Sequence, residues 1–255
     1  MNQAKGIETQ SQFVIISGMH RSATSLVTQY LQLCGIALGD NLLGAHKDNQ
    51  DGYFENKSIV QLHQSIIVEQ NRNLFNCPEQ ASYAESAKKV LLEEAKSLES
   101  FGSVYGFKDP RNCLFIQPLS GLFPDAKHLL LYRDYREVID SLIRRATDKE
   151  IRRQPWLAAK AWIKYNECII KFYKRNQEHS LLFNDSFFIK NSGHCVQAIN
   201  AKFRTKLTPE PINSIYKPSL TKRDGKFNWK TRLVCWFYRN KLIDIDKELK
   251  AISES

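Results

Sequence analysis

The segment that most constrains the fold of this chain is Ser17–Ser25, with the sequence SGMHRSATS. It follows the apolar run Phe13–Ile16 and precedes a helical pattern of apolar residues that begins at Leu26. A strand, a short glycine-containing loop and a helix start in direct succession form the layout of a phosphate-binding loop, whose backbone N–H groups bind an anion. The sequence therefore predicts an α/β unit with an anion site after its first strand.

The loop departs from the nucleotide-kinase pattern G-x-x-x-x-G-K-[ST] at two positions. Gly18 and Ser25 match the first glycine and the final hydroxyl, whereas Ala23 and Thr24 stand where the second glycine and the lysine belong. In the nucleotide-binding pattern that lysine reaches the β- and γ-phosphates. We therefore expect a phosphate-like ligand other than ATP.

Short apolar segments alternate with helical patterns along the chain, which predicts a parallel sheet covered by helices on both faces. The strand candidates are Phe13–Ile16, Val104–Phe107, Lys127–Tyr132 and Leu181–Phe183. Polar clusters directly follow the first three of these strands, at the Gly18 loop, at Lys108–Arg111 and at Arg133–Asp134. Ligands of such sheets bind beyond the carboxyl ends of the strands, so we expect the three clusters to meet.

Composition limits the class of protein and its partners. The chain has 255 residues, 42% of them hydrophobic, and a net charge of +10, which favours anionic ligands. We expect a flexible N-terminus over residues 1–12 and a single domain over residues 13–255. The polar N-terminus lacks the apolar stretch of a signal peptide, and no apolar run is long enough to span a membrane, so we expect a cytoplasmic protein.

Other patterns carry structural expectations. The six cysteines are scattered and show no metal-binding spacing, so we expect ordinary free thiols and no metal site. A long helix after Pro155 is predicted to be buried through Trp156 and Trp162, and a last basic helix is predicted over Asn228–Leu249.

Taken in order, the motifs resemble those of the sulfotransferases that use 3′-phosphoadenosine-5′-phosphosulfate (PAPS), closest to the bacterial, carbohydrate and tyrosyl-protein branches. The resemblance covers most of residues 13–223. Gly18–Ser25 is similar to the family's 5′-phosphosulfate loop, often written R-S-G-T-[ST], with Ala23 in place of glycine. Tyr132–Ser141 resembles the 3′-phosphate motif, an arginine after a strand and a serine eight residues later. Gly52–Glu55 and Lys108–Arg111 match two further family segments.

This resemblance implies a P-loop NTPase-like α/β sandwich that transfers a sulfuryl group from PAPS to a hydroxyl, without a metal, and releases adenosine 3′,5′-bisphosphate. A carbohydrate or glycolipid is the implied acceptor. Catalysis is assigned to Glu55 as general base, with Lys108 and Arg21 as cations that stabilise the transferring group. The implied donor-binding residues are Gly18, Arg21, Ser22, Ala23, Thr24 and Ser25 for the phosphosulfate, and Arg133 and Ser141 for the 3′-phosphate.

Several residues keep a second interpretation. The base is Glu55 or one of the histidines His20, His46 and His63, although His63 lies on an apolar helical face typical of a core histidine. Arg133 is a phosphate ligand or pairs with a neighbouring carboxylate, Asp134 or Glu137. Asp109 is expected to be structural, either pairing with Arg111 or capping the next helix. Lys222–Arg223 is either a 3′-phosphate contact or a solvated loop.

Two other functions remain open for the whole chain. One is a P-loop kinase of a nucleotide or small molecule, which the absent loop lysine disfavours. The other is a non-catalytic protein that binds polyanions through its basic surface, although no nucleic-acid-binding motif is present. We expect acceptor specificity to reside in Gly39–Gly52, in Asn71–Ser82 and in the C-terminal third.

Overall fold

The computed structural model describes residues 11–44, 52–75, 82–144, 149–216 and 226–254. The strands of this part of the chain are β1 (Gln12–Gly18), β2 (Val104–Lys108), β3 (Lys127–Tyr132) and β4 (Ser180–Asn184). The helices before β3 are α1 (Thr24–Leu33), α2 (Lys57–Glu69), α3 (Glu85–Glu99) and α4 (Asn112–Leu122). Those after it are α5 (Tyr135–Arg144), α6 (Lys149–Arg153), α7 (Trp156–Arg175), α8 (Asp185–Lys190), α9 (Ser192–Phe203), α10 (Trp229–Phe237) and α11 (Arg239–Ile252).

The described strands form one parallel sheet in the order β2-β1-β3-β4, which confirms the predicted α/β class. Ile16 of β1 is in register with Lys108 at the end of β2 and with Leu129 of β3. The chain therefore leaves β1 toward one edge of the sheet and returns from β2 to the other side of β1. The loop after β1 lies at this reversal, where sheets of this class bind their ligands.

Alternate residues of the strands supply two apolar layers, because successive side chains of a strand point to opposite faces. Ile15 and Leu130 face a core shared with α4, α7 and α11, which includes the fully buried Trp162. Val14 and Leu131 face a second core shared with α1, α8 and α9. Helices thus cover both faces of the sheet, as the short apolar strands predicted.

The structure corrects two sequence predictions. The helix expected over Asn228–Leu249 is two helices, because α10 ends at Phe237 and α11 begins at Arg239. α10 packs on α5 and α11 packs along α7, and one straight helix cannot follow both. Trp156 was expected in the core but is 43% exposed, because it is the first residue of α7 and lies at the helix end.

The cysteines and the helix lengths of the described residues bear on two sequence expectations. Its five cysteines are free thiols, three of them buried and two half-buried, as expected. No described helix is both long enough and apolar enough to cross a membrane.

Candidate active site

The loop after β1 is held close to the neighbouring strand by Gly18. A Cβ atom added at Gly18 would lie 2.7 Å from the carbonyl oxygen of Leu131 on β3. Such a distance is too short for any side chain, so only glycine permits this approach. The sheet edge therefore sets the path of the loop.

Two residues of the loop adopt left-handed backbone conformations. Arg21 has φ +72°, and Ala23 has φ +55° at the position before α1 begins. An L-residue with a Cβ atom is strained in this region, in which glycine is comfortable. Ala23 provides no side-chain cap, so the backbone N–H groups at the start of α1 are not covered from within their own helix.

The loop contacts α5 through Arg21. The Nε of Arg21 donates to the Oγ of Ser141 at 2.9 Å, and the backbone carbonyl of Arg21 accepts from Arg133 at 3.1 Å. The two predicted phosphate motifs, separated by more than 100 residues, therefore meet at one residue. Ser141 therefore lies next to the loop because α5 packs against it.

Arg133 also contacts two carboxylates. It forms ion pairs with Glu137 at 2.6 Å and with Asp185, the first residue after β4, at 3.4 Å. The alternative pairing of Arg133 with Glu137 is thus present in this state, whereas Asp134 pairs with Arg136. The sequence pattern did not single out Asp185, although it follows a strand at the same sheet edge as the other polar clusters.

A buried ion pair lies on the β2 side of the loop. The Nζ of Lys108 is 2.7 Å from the Oε1 of Glu55 and 3.3 Å from the Oγ of Ser25. Lys108 is 1% exposed and Glu55 is 6% exposed. A cation from β2 thus reaches the start of α1, next to the position at which the loop itself lacks a lysine.

Burial dominates the acid–base properties of this pair. It raises the pKa of Glu55 above the ordinary glutamate value, and the charge of Lys108 opposes that shift. Burial also lowers the pKa of Lys108, and Glu55 opposes that shift in turn. Each group keeps its charge in the interior because the other is present.

A second chain of polar contacts leads away from Glu55. Arg111 lies 3.8 Å from the Oε2 of Glu55 and donates to the Oδ1 of Asp109 at 2.8 Å. The other oxygen of Asp109 is 2.8 Å from the Nδ1 of His63, whose Nε2 is 2.7 Å from the Tyr83 hydroxyl. Burial alone would raise the pKa of Asp109, but Arg111 and His63 outweigh it and hold that pKa well below its usual range.

A cavity of about 320 Å³ opens over these groups. The polar side chains that line it come from the loop, from the Gly52–Glu55 segment and from the cluster after β2: His20, Arg21, Thr24, Ser25, Glu55 and Arg111. Apolar lining is supplied by Leu43, Leu74, Phe75, Leu142 and Ile151. The cavity therefore combines cations and a carboxylate at one end with an apolar wall.

The family model described as the sulfotransferase family matches residues 13–188, which include all of β1 except its first residue, the strands β2 to β4 and every residue of this site. The chain belongs to the sulfotransferase family. It is therefore an enzyme that transfers a sulfuryl group, and the family resemblance inferred from the motifs is confirmed. No curated protein sequence matches this sulfotransferase significantly.

Solved structures share the fold of this sulfotransferase at low sequence identity. A sulfotransferase from Alicyclobacillus acidocaldarius is 12% identical, with a TM-score of 0.54 over 96% of this chain and 97% of that one. The sulfotransferase domain of the Synechococcus PCC 7002 olefin synthase is 12% identical, with a TM-score of 0.51 over 94% and 98%. One from Mycobacterium avium is 11% identical, with a TM-score of 0.51 over 92% and 77%. These likenesses support the P-loop NTPase-like fold.

The histidines of the sulfotransferase differ in environment. His63 is fully buried between Asp109 and Tyr83, as expected of a core histidine with satisfied hydrogen bonds. His20 faces the cavity, and burial, followed by the charge of Arg111, lowers its pKa to about 3. Its ring is therefore neutral at pH 7, and its Nε2 is buried without a hydrogen-bond partner among the described residues. His46 and Lys222–Arg223 lie outside the described residues.

The predicted site residues fall into three positions around the loop. Thr24, Ser25, Arg21 and Glu55 line the cavity, Lys108 lies behind Glu55, and Arg133 with Ser141 lies on the opposite side. Sequence reasoning assigned Arg111 only a structural pairing with Asp109, which the structure confirms, and missed its exposure to the cavity. The described residues contain no group of three or more His, Cys, Asp or Glu side chains that could hold a metal ion.

Proposed function

We propose that this sulfotransferase takes its sulfuryl group from PAPS and transfers it to a hydroxyl, releasing adenosine 3′,5′-bisphosphate. The observation that carries the proposal is the meeting of two phosphate motifs at Arg21, with Lys108 and Glu55 on the other side of the same loop. PAPS carries a phosphosulfate at one end of its ribose and a phosphate on the 3′ oxygen. Two cationic positions flanking one loop suit those two anionic ends.

The 5′-phosphosulfate is assigned to the loop from Gly18 to Ser25. The close approach at Gly18 and the uncapped start of α1 leave backbone N–H groups for the anion, and the helix dipole adds a partial positive charge. The hydroxyls of Ser22, Thr24 and Ser25 and the backbone of Ala23 complete the proposed contacts. Lys108, which reaches Ser25, supplies the cation that the loop lacks.

The 3′-phosphate is assigned to Arg133 and Ser141. The Ser141 oxygen accepts from Arg21, so its own O–H is left to donate to a phosphate oxygen. Arg133 presents a guanidinium that suits two parallel bonds to phosphate. Binding then requires Arg133 to exchange its ion pair with Glu137 for one with the phosphate. The arginine therefore has an anionic partner both before and after the nucleotide binds.

The chemical step is assigned to Glu55, Lys108 and Arg21. The acceptor oxygen forms a bond to sulfur, the bond between sulfur and the bridging oxygen breaks, and the electron pair leaves on the nucleotide phosphate. The acceptor proton passes to the Oε2 of Glu55, which is 3.8 Å from Arg111 and therefore beyond hydrogen-bond length. A raised pKa makes Glu55 a stronger base than a surface glutamate, while Lys108 keeps it ionised.

The acceptor, the domain organisation and the location are proposed from the sequence and the family resemblance. A carbohydrate or glycolipid hydroxyl is proposed from the family resemblance, with Leu43, Leu74 and Phe75 of the cavity wall lying in or beside the predicted acceptor segments. Residues 13–255 are proposed to be one domain after a flexible N-terminus over residues 1–12. A cytoplasmic location and catalysis without a metal also stay predictions.

The two other functions make different predictions. A P-loop kinase would turn over ATP with Mg²⁺. The feature in its favour is the contact of Lys108 with Ser25, which brings a lysine to the loop that lacks one of its own. A non-catalytic polyanion-binding protein would bind nucleic acid or acidic glycans in a salt-dependent way, without competition from nucleotide. Mg²⁺-dependent ATP turnover would favour the kinase. Polyanion binding that is unaffected by adenosine 3′,5′-bisphosphate would favour the non-catalytic binding protein.

Calorimetric titration with adenosine 3′,5′-bisphosphate tests the donor assignment. We expect Arg133→Ala to weaken binding about 10- to 100-fold, because a hydrogen bond to a charged group contributes about 1.5–3 kcal/mol. Arg136→Ala is the matched control, since that arginine follows the same strand but pairs with Asp134. Absence of binding to the unmodified enzyme would refute the donor assignment.

Turnover of labelled PAPS with glycans, phenols and lipids tests the acceptor and the base. Glu55→Gln should lower kcat at least 100-fold, because general-base catalysis contributes about 10²- to 10⁴-fold. Unchanged turnover in this variant would move the base to a histidine. His20→Gln then becomes the informative variant.

A further inference from the structure

Large apolar side chains lie exposed around α10. Trp229, Trp236 and Phe237 are 69%, 63% and 70% exposed, and Leu233 is 46% exposed. Trp229, Leu233 and Phe237 line an apolar groove of about 480 Å³ together with Trp156 at the start of α7. We call these five residues the α10 face. Contiguous exposed apolar surface of this kind marks an interaction site in soluble proteins.

The chain segment that contains α10 is basic. Residues 226–243 contain five cations and no aspartate or glutamate: Lys226, Lys230, Arg232, Arg239 and Lys241. Lys230 lies over the Trp229 ring at 5.8 Å, and Lys241 pairs with Glu167 of α7. Lys230 and Arg232 have no carboxylate partner in the part of the chain that the structure describes. The α10 face therefore combines aromatic rings with uncompensated positive charge.

The other side of α10 is firmly attached to the protein. The Oδ1 of Asp140 on α5 accepts from the Thr231 hydroxyl at 2.9 Å and from the Asn228 backbone at 3.2 Å. Thr231 and Val234 are buried beneath the helix. The aromatic side chains are thus presented outward by a helix whose inner face is already packed.

We propose that the α10 face binds the surface of an anionic lipid bilayer. Tryptophan and phenylalanine rings fit the headgroup region, and lysine and arginine beside them attract anionic lipids. The absence of acidic residues over 226–243 matches a negative surface. A second copy of the chain is the poorer occupant, because a two-fold contact would bring Lys230 and Arg232 against their own counterparts. The proposal is independent of the donor and acceptor assignments.

Sedimentation of the full chain with lipid vesicles tests the proposal. We expect binding to phosphatidylcholine vesicles that contain phosphatidylserine, and little binding to phosphatidylcholine alone. Because three of the four tryptophans are more than 40% exposed, binding should also shift tryptophan emission to shorter wavelength. The double variant Lys230→Gln, Arg232→Gln should weaken binding about 30-fold, since each basic residue near an anionic surface contributes about fivefold.

Matched variants distinguish binding by the α10 face from non-specific hydrophobic or electrostatic binding. Trp236→Ser and Phe237→Ser should each reduce vesicle binding. Phe101→Ser is the control, because Phe101 is 49% exposed but lies outside the α10 face, and it should leave binding unchanged. Lys88→Gln with Lys89→Gln on α3 is the control for the loss of two charges. These side chains are exposed, so the variants should unfold at the same temperature as the unmodified protein.

Three results would overturn the proposal. The first is absence of binding to both vesicle compositions, and the second is equal binding to both. The third is a concentration-dependent dimer that Trp236→Ser dissociates in the absence of any vesicle binding, which would assign the α10 face to contacts between copies of this chain.

Discussion

The buried pair of Lys108 and Glu55 allows a quantitative test of how the site is held together. The two charged atoms are 2.7 Å apart, and the side chains are 0% and 8% exposed. Removal of one partner leaves an uncompensated charge in the interior, which costs about 3–5 kcal/mol, whereas replacement of both by neutral groups removes both desolvation penalties and is close to neutral. Lys108→Met and Glu55→Gln should therefore each destabilise the fold strongly, and the double variant much less than their sum.

The two single variants should differ from each other. After Lys108→Met, Glu55 retains Arg111 at 3.8 Å, so its charge keeps a partner. After Glu55→Gln, the buried Lys108 loses the carboxylate that stabilises its charge, while Arg111 remains as a nearby cation. The pKa of Lys108 therefore falls further. We expect Glu55→Gln to be the more destabilising change of the two.

A double-mutant cycle by urea unfolding at pH 7 measures the coupling. We expect a coupling of about 3 kcal/mol or more between Lys108 and Glu55. The surface pair Lys88–Glu85 is the control, since its side chains are 41% and 88% exposed at a similar distance of 2.6 Å. Its coupling should stay below about 1 kcal/mol. Additive losses at the buried pair would refute the inferred mutual stabilisation of these charges.

Three further predictions concern the loop and the core. Ala23→Gly removes the backbone strain of alanine in the left-handed region, about 1–2 kcal/mol. The greater conformational entropy of glycine in the unfolded chain costs about 0.5–1 kcal/mol, so urea unfolding should show a small net gain in stability. Gly18→Ala places a Cβ atom against the Leu131 carbonyl at 2.7 Å, so calorimetric unfolding should show a loss of about 1–3 kcal/mol and nucleotide binding should weaken. Burial lowers the pKa of His128 to about 3, so its unfolded form takes up a proton as pH falls below 6.5 while the folded form does not. His128→Leu should therefore reduce the loss of stability between pH 6.5 and pH 3, as measured by unfolding across that range.

The cations of the candidate site are paired with carboxylates in this structure. Arg133 is paired with Glu137 and Asp185, Lys108 with Glu55, and these cations lie on opposite sides of one loop. Each buried cation is therefore compensated by a carboxylate, which keeps the cost of burying these charges low.

Much of the fold was predictable because its signals are local. The four strand segments and the layers over them follow from short apolar runs between helical patterns, and strands of this kind are covered on both faces. The failures come from contacts between distant elements. Trp156 carries the same apolar signal as Trp162, yet only the second is buried, because position within α7 decides which side chain meets the core.

The candidate site shows the same division. Short motifs at strand ends, with the family resemblance, were enough to predict Gly18, Arg21, Arg133 and Ser141 as donor-binding residues, and the structure brings Arg21, Arg133 and Ser141 into contact. Glu137 was a foreseeable partner of Arg133, because it lies one helical turn along the chain. Asp185 became a neighbour of Arg133 only through the pairing of β4 with β3, and the contact between Asp109 and His63 joins two segments that are distant in sequence.

The amino-acid sequence by itself determined a strand, a short glycine-containing loop without a lysine and the start of a helix, because these features depend on neighbouring residues. It also determined the family, through short motifs in a fixed order. Only the tertiary structure decided that Lys108 reaches Ser25, since that contact spans 83 residues and requires β2 to lie beside β1. The exposure of the α10 face was decided in the same way, because a helix buries whichever side its neighbours cover.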